Sequence, residues 1–120
     1  MEVVNRNKVQ PFITKDTAEI REILNPRNSS LQNQSLAEAR VAPGKATVEH
    51  RHPSSEEIYY ILEGEGKMKI EGETQEIGSG DGIVIPPGKR HKIWNTGNGE
   101  LVFLCCCSPA YSDEDTIMVE

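Results

Sequence analysis

Residues 49–60, EHRHPSSEEIYY, carry two histidines one position apart, His50 and His52, with the adjacent carboxylates Glu56 and Glu57 close behind. The chain has only three histidines, and the third, His91, lies far along in PPGKRHKIWN. Imidazole nitrogens with one carboxylate oxygen form a donor set for Mn, Fe, Ni, Co, Cu or Zn. On a strand, side chains alternate faces, so His50 and His52 point the same way. Glu56 and Glu57 then point opposite ways, and at most one can join the histidines. Taken alone, a His-x-His pair is often a solvated stretch of loop. Three histidines and a carboxylate converging from neighbouring strands would be a metal site.

The elements that must position these residues are short and β-like. From Ser35 onward the chain breaks into eight candidate strands: SLAEARVA, ATVEHRH, EIYYILEG, KMKIEG, TQEIG, GIVIPP, RHKIWN and LVFLCCC. Glycine- and proline-rich turns separate them, and many short strands at close spacing indicate an all-β sandwich or barrel. Residues 1–34 read as an N-terminal arm. Within it, TKDTAEIREIL offers Asp16 as N-cap and Glu19 three positions on, then Ile20, Ile23 and Leu24 at helical spacing, which predicts a short helix ended by Asn25-Pro26. Residues 108–120 read as an acidic tail.

The two histidine segments resemble the two signature motifs of the cupin superfamily. In the first, Gly44 is followed by five residues, then His50-Arg51-His52, four residues, Glu57, six residues and Gly64. In the second, Gly80 is followed by five residues, Pro86-Pro87-Gly88, two residues, His91, three residues and Asn95. The resemblance spans residues 35–107 and implies a cupin double-stranded β-helix, a jelly-roll barrel of six to eight strands. It further implies one divalent transition metal per chain, held by His50, His52, Glu57 and His91. The count back from Gly64 places Glu57, rather than Glu56, at the ligand position. Four protein ligands leave two positions open on an octahedral ion, enough for a small ligand chelated through two oxygens.

Around such a site, Tyr59 would share the inner face with Glu57. Tyr59 and Glu56 are the candidate proton-transfer groups, since all three histidines are committed to metal; for Tyr59 the favoured reading is a buried phenol with a satisfied hydroxyl. Glu38 and Arg40 share a strand face, and we expect it to be the outer one. Alternation sends at least one thiol of Cys105-Cys106-Cys107 into the barrel, and three adjacent cysteines do not suit a disulfide framework. Ile58, Tyr60 and Leu62 fall on the outer face and need cover, from residues 1–14 or a second subunit, so a homodimer is expected.

A net charge of -6 and a pI near 5.1 argue against nucleic-acid or anionic-membrane partners. The N-terminus lacks a signal-like apolar run, so a cytoplasmic location is the expectation. Two classes of function remain open. One is a metalloenzyme acting on a small carboxylate, diol or sugar-like substrate by dioxygenase- or isomerase-type chemistry. The other is a non-catalytic small-molecule-binding module.

Overall fold

The computed structural model describes residues 1–120 as eleven strands and one 3-10 turn (Arg6–Lys8). The strands are β1 Phe12–Ile13, β2 Glu19–Leu24, β3 Ser35–Val41, β4 His50–Arg51, β5 Glu56–Glu63, β6 Glu65–Ile70, β7 Glu73–Gly78, β8 Gly82–Ile85, β9 His91–Asn95, β10 Leu101–Ser108 and β11 Ile117–Met118. They form two antiparallel sheets, ordered β1-β2-β3-β10-β5-β8 and β11-β4-β9-β6-β7. The two sheets face each other as a cupin β fold. No helix is long and apolar enough to cross a membrane.

Alternation within the strands sorts the interior along its length. Strand β5 buries Glu57, Tyr59 and Ile61 and exposes the residues between them. Strand β9 buries His91, Ile93 and Asn95. At one end the inner faces meet as an apolar core, with Ile61, Ile93, Leu101 and Phe103 almost fully buried. At the other end the same strands deliver Glu57, His91 and Cys107, so the barrel is dry at one end and polar at the other. The polar end is where a ligand can enter.

The predicted helix is a strand. Residues Glu19–Leu24 form β2, paired antiparallel with β3 from Glu19↔Arg40 to Leu24↔Leu36. A helix of this length is marginal in water, whereas β3 offers an edge with unsatisfied backbone groups. The stretch Ala18, Ile20, Glu22 also alternates, and in the strand these three side chains line the cavity. Asp16 is therefore not an N-cap. It sits in the turn of a β1–β2 hairpin, where Thr17 adopts a positive φ of 72°.

Strands from outside residues 35–107 thus extend both sheets. β1 and β2 add to the first, and β11 pairs with β4 in the second. Arg6 reaches over the outer face of β3 and donates to Glu38 Oε1 at 3.0 and 2.7 Å. Arg40 donates to the same oxygen at 3.2 Å, so Glu38 and Arg40 lie on the outer face.

Two motif residues hold the turns. Gly64 has φ +93°, and a Cβ there would lie 2.6 Å from the Glu100 carbonyl oxygen. Asn95 donates from Nδ2 to the carbonyls of Val41 and Gly99, both at 2.8 Å, and accepts from the Gly97 N–H at 2.9 Å. The side chain is buried and bridges β3 to the loop after β9. Replacing it would strand the buried Val41 carbonyl, at a cost of about 1 to 2 kcal/mol, and would release the partly exposed groups of Gly97 and Gly99 to water. Asn95→Ala should therefore lower unfolding stability by about 2 kcal/mol in urea denaturation; a loss under ~0.5 kcal/mol would mean the bridge is dispensable.

Candidate metal centre

Three histidines meet at the polar end of the barrel. His50 comes from β4, His52 from the residue after it, and His91 from the first position of β9, directly opposite His50 in the sheet. The two histidine segments are joined by a backbone bond, because the Gly88 N–H donates to the His52 carbonyl at 2.7 Å. All three rings are buried, and one nitrogen from each lies within 4.8 Å of the others. The histidines are positioned to bind a metal.

Their orientation is set by hydrogen bonds on the far side of each ring. His50 Nδ1 faces the Val48 carbonyl at 2.7 Å, and His91 Nδ1 faces the Lys89 carbonyl at 3.0 Å. His52 Nδ1 faces the Asp115 carbonyl and Thr116 Oγ1, both at 3.2 Å. A carbonyl only accepts, so each ring carries its proton on Nδ1 and turns an Nε2 lone pair inward. This arrangement fixes tautomer and ring angle in metal-binding histidines generally.

Glu57 is the carboxylate that faces them. Its Oε1 lies 3.3 Å from His52 Nε2 and 3.6 Å from His91 Nε2. With the protons on Nδ1, these are acceptors aimed at acceptors. Glu57 Oε1 and His91 Nε2 are buried without any hydrogen-bond partner. Two such orphans side by side need a cation between them, and the donor set of imidazole nitrogens and a carboxylate fits a divalent transition metal. Glu57 Oε2 is held separately, accepting from Cys107 Sγ at 3.3 Å.

In the metal-free protein a proton stands in for the ion. Burial disfavours the charged ring of His52, but the facing Glu57 outweighs it and lifts His52 above the usual histidine value. Burial likewise opposes ionisation of Glu57, yet its two imidazole neighbours hold the carboxyl down at about 2. His50 moves the other way, lowered by burial and by the neighbouring His91.

The cavity above the histidines has a volume of about 40 Å³, room for an ion and a few waters. Tyr59 is on its wall, as expected, and burial followed by the Glu57 charge pushes its phenol well above 10. Cys105 and Cys107 also line it, with both thiols pushed up by burial and by Glu57. Glu56 is exposed on the opposite face of β5 and does not reach the cavity, which removes it from the proton-transfer candidates.

The sequence reading missed what the chain ends contribute. Tyr111 packs edge-on against His52 with ring centroids 5.9 Å apart, and the Asp115 carboxylate accepts from the backbone N–H groups of Ser54 and Ser55 at 3.0 Å. Asp16 enters from the other terminus. None of these carries a local signal, since each acts only through a long-range contact.

A family model described as a cupin domain matches residues 37–107. An uncharacterized protein of Methanocaldococcus jannaschii is 52% identical over 114 residues, covering 95% of this chain and 91% of that one. A crystal structure of a predicted oxalate decarboxylase from Thermotoga maritima superposes with TM-score 0.80 at 29% identity, over 90% of this chain and 99% of that one. The polyketide cyclase RemF of Streptomyces resistomycificus superposes with TM-score 0.84 at 25% identity, over 100% of this chain and 86% of that one.

Metal and protons compete for the same Nε2 lone pairs, which gives a pH dependence with a definite sign. With its pKa raised, His52 holds its proton in the metal-free protein below the usual histidine value, and Glu57 stays ionised there. Metal affinity should therefore fall as pH drops through the usual histidine range, with about one proton released per ion bound. Calorimetry in buffers of different ionisation enthalpy measures this; zero proton release below pH 6.5 contradicts it. With the three inward Nε2 atoms, the orphaned Glu57 oxygen and both signature motifs in place, the chain belongs to the cupin family.

Proposed function

We propose that this cupin binds one divalent transition metal through His50, His52, Glu57 and His91. It acts on a small ligand that chelates the ion through two oxygens, by isomerase-type proton transfer. One observation carries the choice of ligand. No Lys or Arg lines the cavity, and its only formally charged side chains besides the histidines are Asp16, Glu22 and Glu57. The Arg27 guanidinium ion-pairs with Glu22, but its side chain is 70% exposed. A dianion such as oxalate would meet carboxylates on every side. A neutral or singly charged oxygen chelator with an apolar body, such as an enediol or a 1,3-dicarbonyl, meets Ala39, Phe103 and Ile20 instead. The likeness to a polyketide cyclase supports this reading more than the likeness to a predicted oxalate decarboxylase.

A bound metal would act as a Lewis acid, polarising the chelated oxygens and acidifying the neighbouring C–H. The chain's own residues do the rest. Val48, Lys89 and Asp115 orient the rings through their carbonyls. The Asp16 carboxylate on the cavity wall takes the C–H proton, and Tyr59, kept neutral by burial, donates its own proton back to the substrate. Phe103 packs on Tyr59 with centroids 4.6 Å apart and shields it from water. The test compares acetylacetone with oxalate on the metal-loaded protein by calorimetry. Acetylacetone should bind at least about tenfold more tightly, and its central C–H should exchange with deuterium faster than with free metal. Tighter binding of oxalate sinks the ligand assignment. Binding without exchange favours the non-catalytic binding module, and oxygen uptake with Fe(II) in place of exchange favours a dioxygenase.

The outer face of the first sheet supports a homodimer as part of the same proposal. Ile58, Tyr60 and Leu62 are 52%, 44% and 38% exposed, and Val84 beside them is 71% exposed. The register aligns Val84 and Ile58 with Cys106, and Tyr60 with Leu104, so the row continues across β8, β5 and β10. Burying three such side chains contributes roughly 5 to 8 kcal/mol before association costs. Light scattering over a concentration series should show a dimer, and Ile58→Lys should dissociate it. A monomer at every concentration removes the dimer and leaves the metal centre untouched.

A further inference from the structure

The β1–β2 hairpin brings a second carboxylate to the same centre, from outside both histidine motifs. Asp16 is 92% buried, at 8% exposure, in the turn of that hairpin. Its two carboxylate oxygens have different surroundings. Oδ1 accepts a hydrogen bond from Thr14 Oγ1. Oδ2 lies 3.4 Å from His50 Nε2, the inward nitrogen. Because the proton of His50 is on Nδ1 and bonded to Val48, this contact also sets an acceptor against an acceptor. It repeats, at His50, what Glu57 Oε1 does towards His52 and His91.

The backbone holds Asp16 there by the residue that orients His50. The Val48 N–H donates to the Asp16 carbonyl at 2.9 Å, while the Val48 carbonyl takes the His50 Nδ1–H. The turn is closed by the Thr17 N–H on the Thr14 carbonyl at 2.9 Å and the Thr14 N–H on the Ala18 carbonyl at 3.0 Å. One residue, Val48, therefore registers both the hairpin and the ring. Two ligands at right angles on one ion, each ~2.1 Å from it, stand roughly 3 Å apart. The three carboxylate–imidazole contacts, at 3.3, 3.4 and 3.6 Å, are all near that spacing.

We infer that Asp16 is a fifth protein ligand to the metal, supplied by the N-terminal hairpin through Oδ2. The inference rests on the metal-binding reading above. With Asp16 in place, one position of a six-coordinate ion stays open, and a two-oxygen ligand binds by displacing this carboxylate. Metal occupancy also ties the hairpin to the barrel.

The chain has four aspartates, Asp16, Asp81, Asp113 and Asp115, of which Asp16 alone lines the cavity. Glu57, being a glutamate, is silent to an aspartate label. Protein made by cell-free synthesis with aspartate carrying 13C in the side-chain carboxyl, then loaded with Mn(II), isolates the question without any mutation. Electron–nuclear double resonance should show a resolved 13C coupling alongside nitrogen couplings from the histidines. The 13C coupling should vanish in Asp16→Asn while the nitrogen couplings remain, and the Mn(II) dissociation constant should rise about tenfold or more. Nitrogen coupling without 13C coupling in the unmutated protein overturns Asp16 as a ligand and leaves the three-histidine site standing. Absence of nitrogen coupling overturns both.

Discussion

The organising constraint of this protein is electrostatic. Three inward Nε2 atoms and a buried carboxylate oxygen are held face to face. Acceptors held this close stay together under two conditions: a proton or a cation lies between them, and the surrounding fold leaves the groups nowhere to turn. The carbonyls of Val48, Lys89 and Asp115 provide that second condition. Each takes the outer proton of one ring and so commits the other nitrogen to the centre.

The barrel divides its labour along the strands to meet this demand. Strand β5 runs from Glu57 through Tyr59 to Ile61, and β9 runs from His91 through Ile93 to Asn95, so one alternation builds both the polar end and the dry core. Rigidity at the centre comes from the apolar layer beneath it. The Asn95 bridge and the tight turn at Gly64 close the opposite end, far from the chemistry. These motif positions are structural, although they accompany the ligands in the same short patterns.

The chain ends complete the centre. The C-terminal segment supplies the Asp115 carbonyl and Thr116 hydroxyl to His52 and packs Tyr111 against it. The N-terminal hairpin brings Ala18, Ile20 and Glu22 to the cavity wall and leaves its charge entirely acidic. Carboxylates and apolar groups thus wall the cavity, and no Lys or Arg side chain enters it.

The strands β3 to β10, the outward row at Ile58, and the face shared by His50 and His52 were legible because alternation and turn chemistry are local. The choice between Glu56 and Glu57 was legible only through motif spacing, which counts residues from the turn at Gly64. What the residues alone could not settle lies in β2, β11 and the residues they carry. Glu19–Leu24 satisfies a helical period as well as a strand period, and the free edge of β3 decided between them. Asp16 reads as a helix cap in isolation and comes to lie beside His50 only because the Val48 N–H, thirty-two positions on, donates to its carbonyl. Local patterns determine which faces are buried; long-range backbone pairing determines which buried groups meet.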